Sequence, residues 1–198
     1  MEKKTSAQKT RALVGVALFT AIVVVLQLLG SFIKFGPFSI SLVLIPIVVG
    51  AAVYGARSGM WLGFVFGVAV LLSGDAAAFL AVNPFGTIVT VLLKGALAGL
   101  AAGLVYKLFE KYNRTAAVIA AAFVCPVVNT GIFLLGCLIF FMDTITVWGQ
   151  NLGFGDNVGK YMIFGLCGGN FLFELGINLI LSPLIVRIIN IGKEKRIK

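Results

Sequence analysis

At 198 residues, 60% hydrophobic and 12% charged, with a mean hydropathy of +1.09, the chain carries far less charge than the roughly 25% of a soluble domain. It reads as one integral-membrane domain over residues 1–198. The net charge of +9 does not point to nucleic acid, because the basic residues gather at chain ends and short loops, as orientation signals do. Histidine is absent, and Cys125, Cys137 and Cys167 lie in apolar segments without a CxxC pair. That excludes histidine-dependent membrane hydrolysis, thiol–disulfide exchange and a zinc site.

The basic start "MEKKTSAQKTR" leads into an apolar run long enough to span and without an A-x-A-like cleavage site, so no secretory signal is read. Six spans are predicted, since a crossing helix needs about 20 apolar residues. The first covers about 10–33 and ends at "IKFGPFS", where Lys34, Gly36 and Pro37 punctuate the chain. A short second at about 40–55 and a third at about 57–74 are parted only by "GARSG". A fourth at about 84–108 runs to the loop "FEKYNR", and a fifth covers about 115–142. The segment "DTITVWGQNLGFGDNVGK", about 143–160, reads as the longest loop before a sixth span at about 161–190. The expected fold class is therefore an all-α membrane protein with six transmembrane helices.

One set of helix ends holds Lys3, Lys4, Lys9, Arg11, Arg57, Lys107, Lys111, Arg114, Arg187, Lys193, Lys195, Arg196 and Lys198, the other only Lys34 and Lys160. This positive-inside bias places both termini in the cytoplasm, and an even number of spans agrees. Glycines recur every fourth residue at Gly55, Gly59, Gly63 and Gly67 and again at Gly95, Gly99 and Gly103. Such rows let helix backbones approach closely in lipid. No strong inverted repeat of the kind found in secondary transporters is seen.

Polar residues inside the spans carry the functional signal. Asn83, Thr87, Thr90 and Lys94 share one face of the fourth helix. Lys94 lies about ten residues from its outer end, roughly 15 Å deep. Asn170, Glu174 and Asn178 step by four along the sixth helix, and Asn129 and Thr130 follow Pro126 on the fifth. Glu174 is the carboxylate at matching depth, so it is expected near Lys94. Two readings stand: a structural ion pair that fixes the bundle, or charges that contact a polar solute in a buried cavity. For the asparagines, interhelical hydrogen bonding competes with ligand contact. Asp75, Asp143 and Asp156 are scattered over outer loops and read as solvated charges. Phe32, Phe35, Phe38, Phe79, Phe85, Trp148 and Phe154 in the outer loops suit an interfacial belt or, together, a cap over a ring-bearing ligand.

The segments "ALFTA", "FGPFSISLVLIPIVVGAAVYG" and "NPFGTIVTVLLKGALAG", set in a six-span chain with basic ends, resemble the substrate-binding membrane subunits (S components) of energy-coupling factor (ECF) transporters, ABC-type vitamin importers of bacteria and archaea. The resemblance covers nearly the whole chain. It implies a plasma-membrane subunit that takes a vitamin near the outer face, where Asn83, Thr87, Lys94, Asn129, Asn170 and Glu174 are expected to converge as substrate-binding residues. It implies as partners a transmembrane coupling subunit, contacted through small residues of the first helix that Ala17 and Ala21 match, and two ATPase subunits. It also implies that the whole subunit topples to carry its vitamin inward. A physical feature agrees: no G-x-x-x-x-G-K-[ST] sequence is present, so ATP hydrolysis is assigned to partners and the chain is read as no enzyme, with no cofactor, catalytic residue or metal. Pantothenate, folate and riboflavin are all compatible vitamins, while the lack of a dense basic cluster argues against a phosphorylated ligand. The alternative function is an autonomous solute channel or oligomeric transporter.

Overall fold

The structure, a computed structural model, describes residues 6–32, 34–35, 38–39, 42–155 and 157–197, with side chains placed at 6–32, 42–155 and 157–189. Among the described residues the fold is helical apart from one two-stranded ribbon. Helix α1 (Ser6–Gly30) is followed by β1 (Lys34–Phe35) and β2 (Phe38–Ser39), which pair antiparallel. Then come α2 (Leu44–Tyr54), α3 (Ala56–Ser73), the short α4 (Ala77–Val82), α5 (Pro84–Phe109), α6 (Arg114–Phe140) and α7 (Met142–Asn151). A single turn, α8 (Val158–Lys160), leads into a π-helical stretch, Tyr161–Gly168, and on to α9 (Gly169–Ile180) and α10 (Ser182–Ile197).

Among the described residues, five helical stretches are long and apolar enough to cross a bilayer: Ser6–Gly30, Ala56–Ser73, Pro84–Phe109, Arg114–Phe140 and Val158–Ile180. The expected second span, placed at about 40–55, is the 11-residue α2, only about 16 Å long at 1.5 Å per residue. Its residues from Leu44 to Val53 are nearly all buried, so its uniformly apolar sequence reflects enclosure by other helices. Its neighbours in the apolar core include Leu62, Tyr106, Val118, Ile185 and Ile189. By contrast, α1 buries only Val23 and Gln27.

The two glycine rows face each other. A Cβ at Gly59 would strike the carbonyl of Gly99, one at Gly63 that of Gly95, and one at Gly103 the backbone of Ala56. The α3 and α5 backbones are therefore in direct contact, which no larger side chain permits. Gly55 (φ 101) is the single residue joining α2 to α3, and Gly74 (φ 84) ends α3; both adopt a conformation that favours glycine.

Two expectations are corrected. The long loop placed at about 143–160 begins as helix α7, because Ile145 is buried and Gly149 lies against the Tyr161 ring; Asp156 lies outside the described residues. The sixth span, placed at about 161–190 as one helix, ends its membrane-length stretch at Ile180. Pro183 stands in the first turn of α10, where its missing N–H and its ring would break a continuous helix.

Candidate functional site

Helix α5 brings the first polar group into position. Asn83 sits just before it, and its side-chain oxygen accepts the Gly86 N–H at 2.9 Å, with Pro84 in the first turn. This is an N-cap with proline where its missing donor costs nothing. From that fixed start Thr87, Thr90 and Lys94 follow on one face. Thr87 donates its hydroxyl to the Asn83 carbonyl at 2.8 Å.

These side chains face a cavity of about 80 Å³, room for roughly five to eight waters. Thr87, Thr90 and Lys94 of α5, Asn129 and Phe133 of α6, Asn170 and Glu174 of α9, and Gln27 of α1 line it. The loop after α3 adds Asp75 and Ala76, and α4 adds Phe79. A second void of about 50 Å³ adjoins it, sharing Lys94, Asn129, Phe133 and Asn170 and adding Thr130 and Cys167.

The polar atoms divide into satisfied and unsatisfied groups. Asn170 donates to Glu174 Oε1 at 3.2 Å, one helical turn away, which orients the carboxylate. Glu174 Oε2, Asn129 Oδ1 and Thr90 Oγ1 are buried with no hydrogen-bond partner; Glu174 is 3% and Asn129 5% exposed. Buried polar atoms are normally satisfied by protein, water or ligand. Lys94 Nζ lies 5.4 Å from the centre of the Phe133 ring and 5.7 Å from that of Phe66, a cation–π arrangement. Among the described residues no ion pair joins Lys94 to Glu174, although both line the same cavity. Asn178, one turn beyond, donates to the Glu174 carbonyl at 2.8 Å, keeps its buried Oδ1 without a partner and is not among the lining residues.

Of the residues read from the sequence, Thr87, Lys94, Asn129, Asn170 and Glu174 meet here. Asn83 does not; its oxygen is used in the helix cap. Two polar lining residues, Gln27 and Asp75, were not read from the sequence as part of the site. Gln27, fully enclosed, donates from Nε2 to Asp75 Oδ2 at 2.6 Å, tying α1 to the loop after α3. Asp75 is thus no freely solvated loop charge but part of the wall. A lone glutamine in "VVVLQLLG" was the available signal. Phe79 is the centre of an aromatic group, with ring centres 5.5 Å from Phe133, 5.1 Å from Phe141 and 5.4 Å from Trp148. It closes the α4 side of the cavity. Phe154 packs on Tyr161 instead, and Phe32 and Phe85 are exposed. The side chains of Phe35 and Phe38 lie outside those described.

Ala17 and Ala21 are exposed on α1. Ala17 lines a groove of about 730 Å³ between α1 and α3, with Thr20, Tyr54, Ser58 and Trp61. Its wall is held by the Trp61 Nε1 hydrogen bond to Thr20 Oγ1 at 3.2 Å.

Compared with known proteins, residues 11–186 match the family model described as ECF transporter, substrate-specific component. Among solved structures, the fold is similar to that of ThiT from Listeria monocytogenes, with a TM-score of 0.63 and 21% identity over 91% of this chain and 98% of that one. No curated protein matches the sequence.

Proposed function

The chain belongs to the substrate-specific component family of ECF transporters, and on that premise we propose that it is the vitamin-binding subunit of an ECF-type ABC importer. It is a multi-pass membrane protein of a family whose members bind substrate and are not enzymes. The observation that carries the reading is the cavity among the helices with three unpartnered polar atoms and one aromatic-flanked ammonium. Buried polar atoms gathered at one cavity without protein partners call for a solvent or ligand partner. An enclosed, largely apolar site with a few fixed polar groups is the usual form of a small-molecule site.

In this reading the proposed substrate contacts are Thr87, Lys94, Asn129, Asn170 and Glu174. The cavity opens outward, both termini lie in the cytoplasm, and α2 supplies the sixth, short crossing. The basic residues at Lys9, Arg11, Arg57, Lys107, Lys111, Arg114 and Arg187 support that orientation. A coupling subunit and two ATPases complete the importer in a bacterial or archaeal plasma membrane, with the α1 face around Ala17 and Ala21 against the coupling subunit.

The test is mass spectrometry of small molecules released from the washed, detergent-purified chain, followed by reconstitution with an ECF module. One vitamin at near-stoichiometric occupancy, taken up only with ATP and the module, is the expected result. Solute flux through the chain alone in liposomes would instead establish the autonomous channel.

A further inference from the structure

The cavity's polar groups are separated in space, and this narrows the ligand. Glu174 Oε2 and Asn129 Oδ1 are buried and line the cavity without a donor, and the Asn129 side chain stands within hydrogen-bonding reach of the Glu174 carboxylate. Both oxygens are acceptors only. Asn170 already occupies the other carboxylate oxygen of Glu174, so the free oxygen is held in a fixed direction. Asp75, the second carboxylate in the wall, is engaged by Gln27. The complementary group is Lys94, a donor only, whose neighbours are the rings of Phe66 and Phe133. The site therefore presents acceptors at one place and a cation at another, without closing them on each other. Phe79, Phe133 and Phe141 supply flat apolar walls.

We propose that the ligand is an organic zwitterion or its close polar equivalent: a planar group with two adjacent N–H donors set against Glu174 and Asn129, and an anionic group set against Lys94. This rests on the reading of the chain as a substrate-binding subunit and specifies the chemistry of that same site. A planar N–H fork matches a carboxylate oxygen beside an amide oxygen, and charge-assisted bonds of this kind are about twice as strong as neutral ones. A bare metal cation fits less well, because the Lys94 ammonium lines the same cavity.

The test is calorimetric titration of the full chain in nanodiscs with three probes. They are 4-amidinobenzoate, which has the N–H fork and the anion; 4-isopropylbenzoate, of the same shape without donors; and sodium chloride. The expected result is binding of the amidine at least about tenfold tighter than its isopropyl analogue, the scale of one charge-assisted contact. Glu174→Gln should remove that preference, and Lys94→Ala should weaken both organic probes. Asn129→Leu, which keeps the carboxylate, should reduce the preference in part and guards against a Glu174 variant that does not fold. The inference is overturned by equal affinity for the two benzoates, by a preference that survives Glu174→Gln, by sodium binding that Glu174→Gln abolishes, or by no organic probe binding at millimolar concentration. ATP-driven vitamin uptake with the module would persist in those cases if the transporter reading is right. A donor preference without assembly or uptake would sink that reading and leave the ligand chemistry standing.

Discussion

At the scale of single residues, the cavity separates polar groups that work for the fold from those left for something else. Asn83 belongs to the first kind. Its oxygen caps α5, so Asn83→Ala should cost about 1 kcal/mol of stability, the usual value of a lost cap, with ligand affinity changed less than about twofold. Thermal unfolding and titration of the same preparation check this; a large affinity loss at unchanged melting temperature would return Asn83 to the binding set. Lys94 belongs to the second kind. Lys94→Ala should weaken an anionic or zwitterionic ligand at least about tenfold, as loss of a charge-assisted contact does. Unchanged affinity would make Lys94 a structural residue held by its aromatic neighbours. Much of this cluster was legible because lysine, glutamate and asparagine inside apolar helices are costly unless used, and spacing of three and four put them on shared faces. Gln27 and Asp75 were not legible as a pair. An aspartate beside Gly74 has the sequence appearance of a solvated turn, and only the approach of α1 to the end of α3 reveals its partner.

At the scale of helices, length and hydropathy carried the long spans, and the glycine spacing carried the contact between α3 and α5. What stayed hidden depended on tertiary surroundings. The helix α7 exists because Ile145 and Gly149 pack against the π-helical stretch, information absent from a glycine-rich, mixed-polarity segment. The break before α10 was disguised by the apolar run "GINLILSPLIVRII", although Pro183 marked it. The glycine contact gives a paired prediction. Gly95→Val drives a side chain into the Gly63 carbonyl and the Phe66 ring, and overpacking at such a contact costs about 1–3 kcal/mol. Because Lys94 is adjacent and Thr90 lies on the same helix, ligand affinity should fall together with the melting temperature. Gly131→Ala on α6 meets no atom within 4 Å and replaces glycine in a helix, so stability should hold or rise by up to about 1 kcal/mol. Equal losses in both variants would mean that helix flexibility, not close approach, is what these glycines supply.

At the scale of the whole molecule, the polar cavity and the groove beside Ala17 make separable demands. The cavity is walled by α3, α5, α6, α9 and the segment around α4, whereas α1 contributes only Gln27 to its wall. The rest of α1 is largely open, with Leu13, Val14 and Leu18 exposed next to Ala17. A small residue there leaves room for an opposing helix, and the groove floor of Tyr54, Ser58 and Trp61 gives that helix something to pack on. If a coupling subunit docks here, Ala17→Trp should fill the groove and reduce ATP-dependent uptake more than about tenfold, since an interface loses several contacts at once when a large side chain holds it open. Titrated affinity of the isolated chain should change less than about twofold, because additivity holds for sites without shared partners. Ile139→Trp, on an exposed face of α6, adds the same bulk away from the groove and should leave uptake intact. Uptake lost in both variants would point to a general effect on insertion. Uptake kept in both would move the coupling surface off α1, and affinity lost with Ala17→Trp alone would mean that α1 transmits strain to the cavity through Gln27 and Asp75.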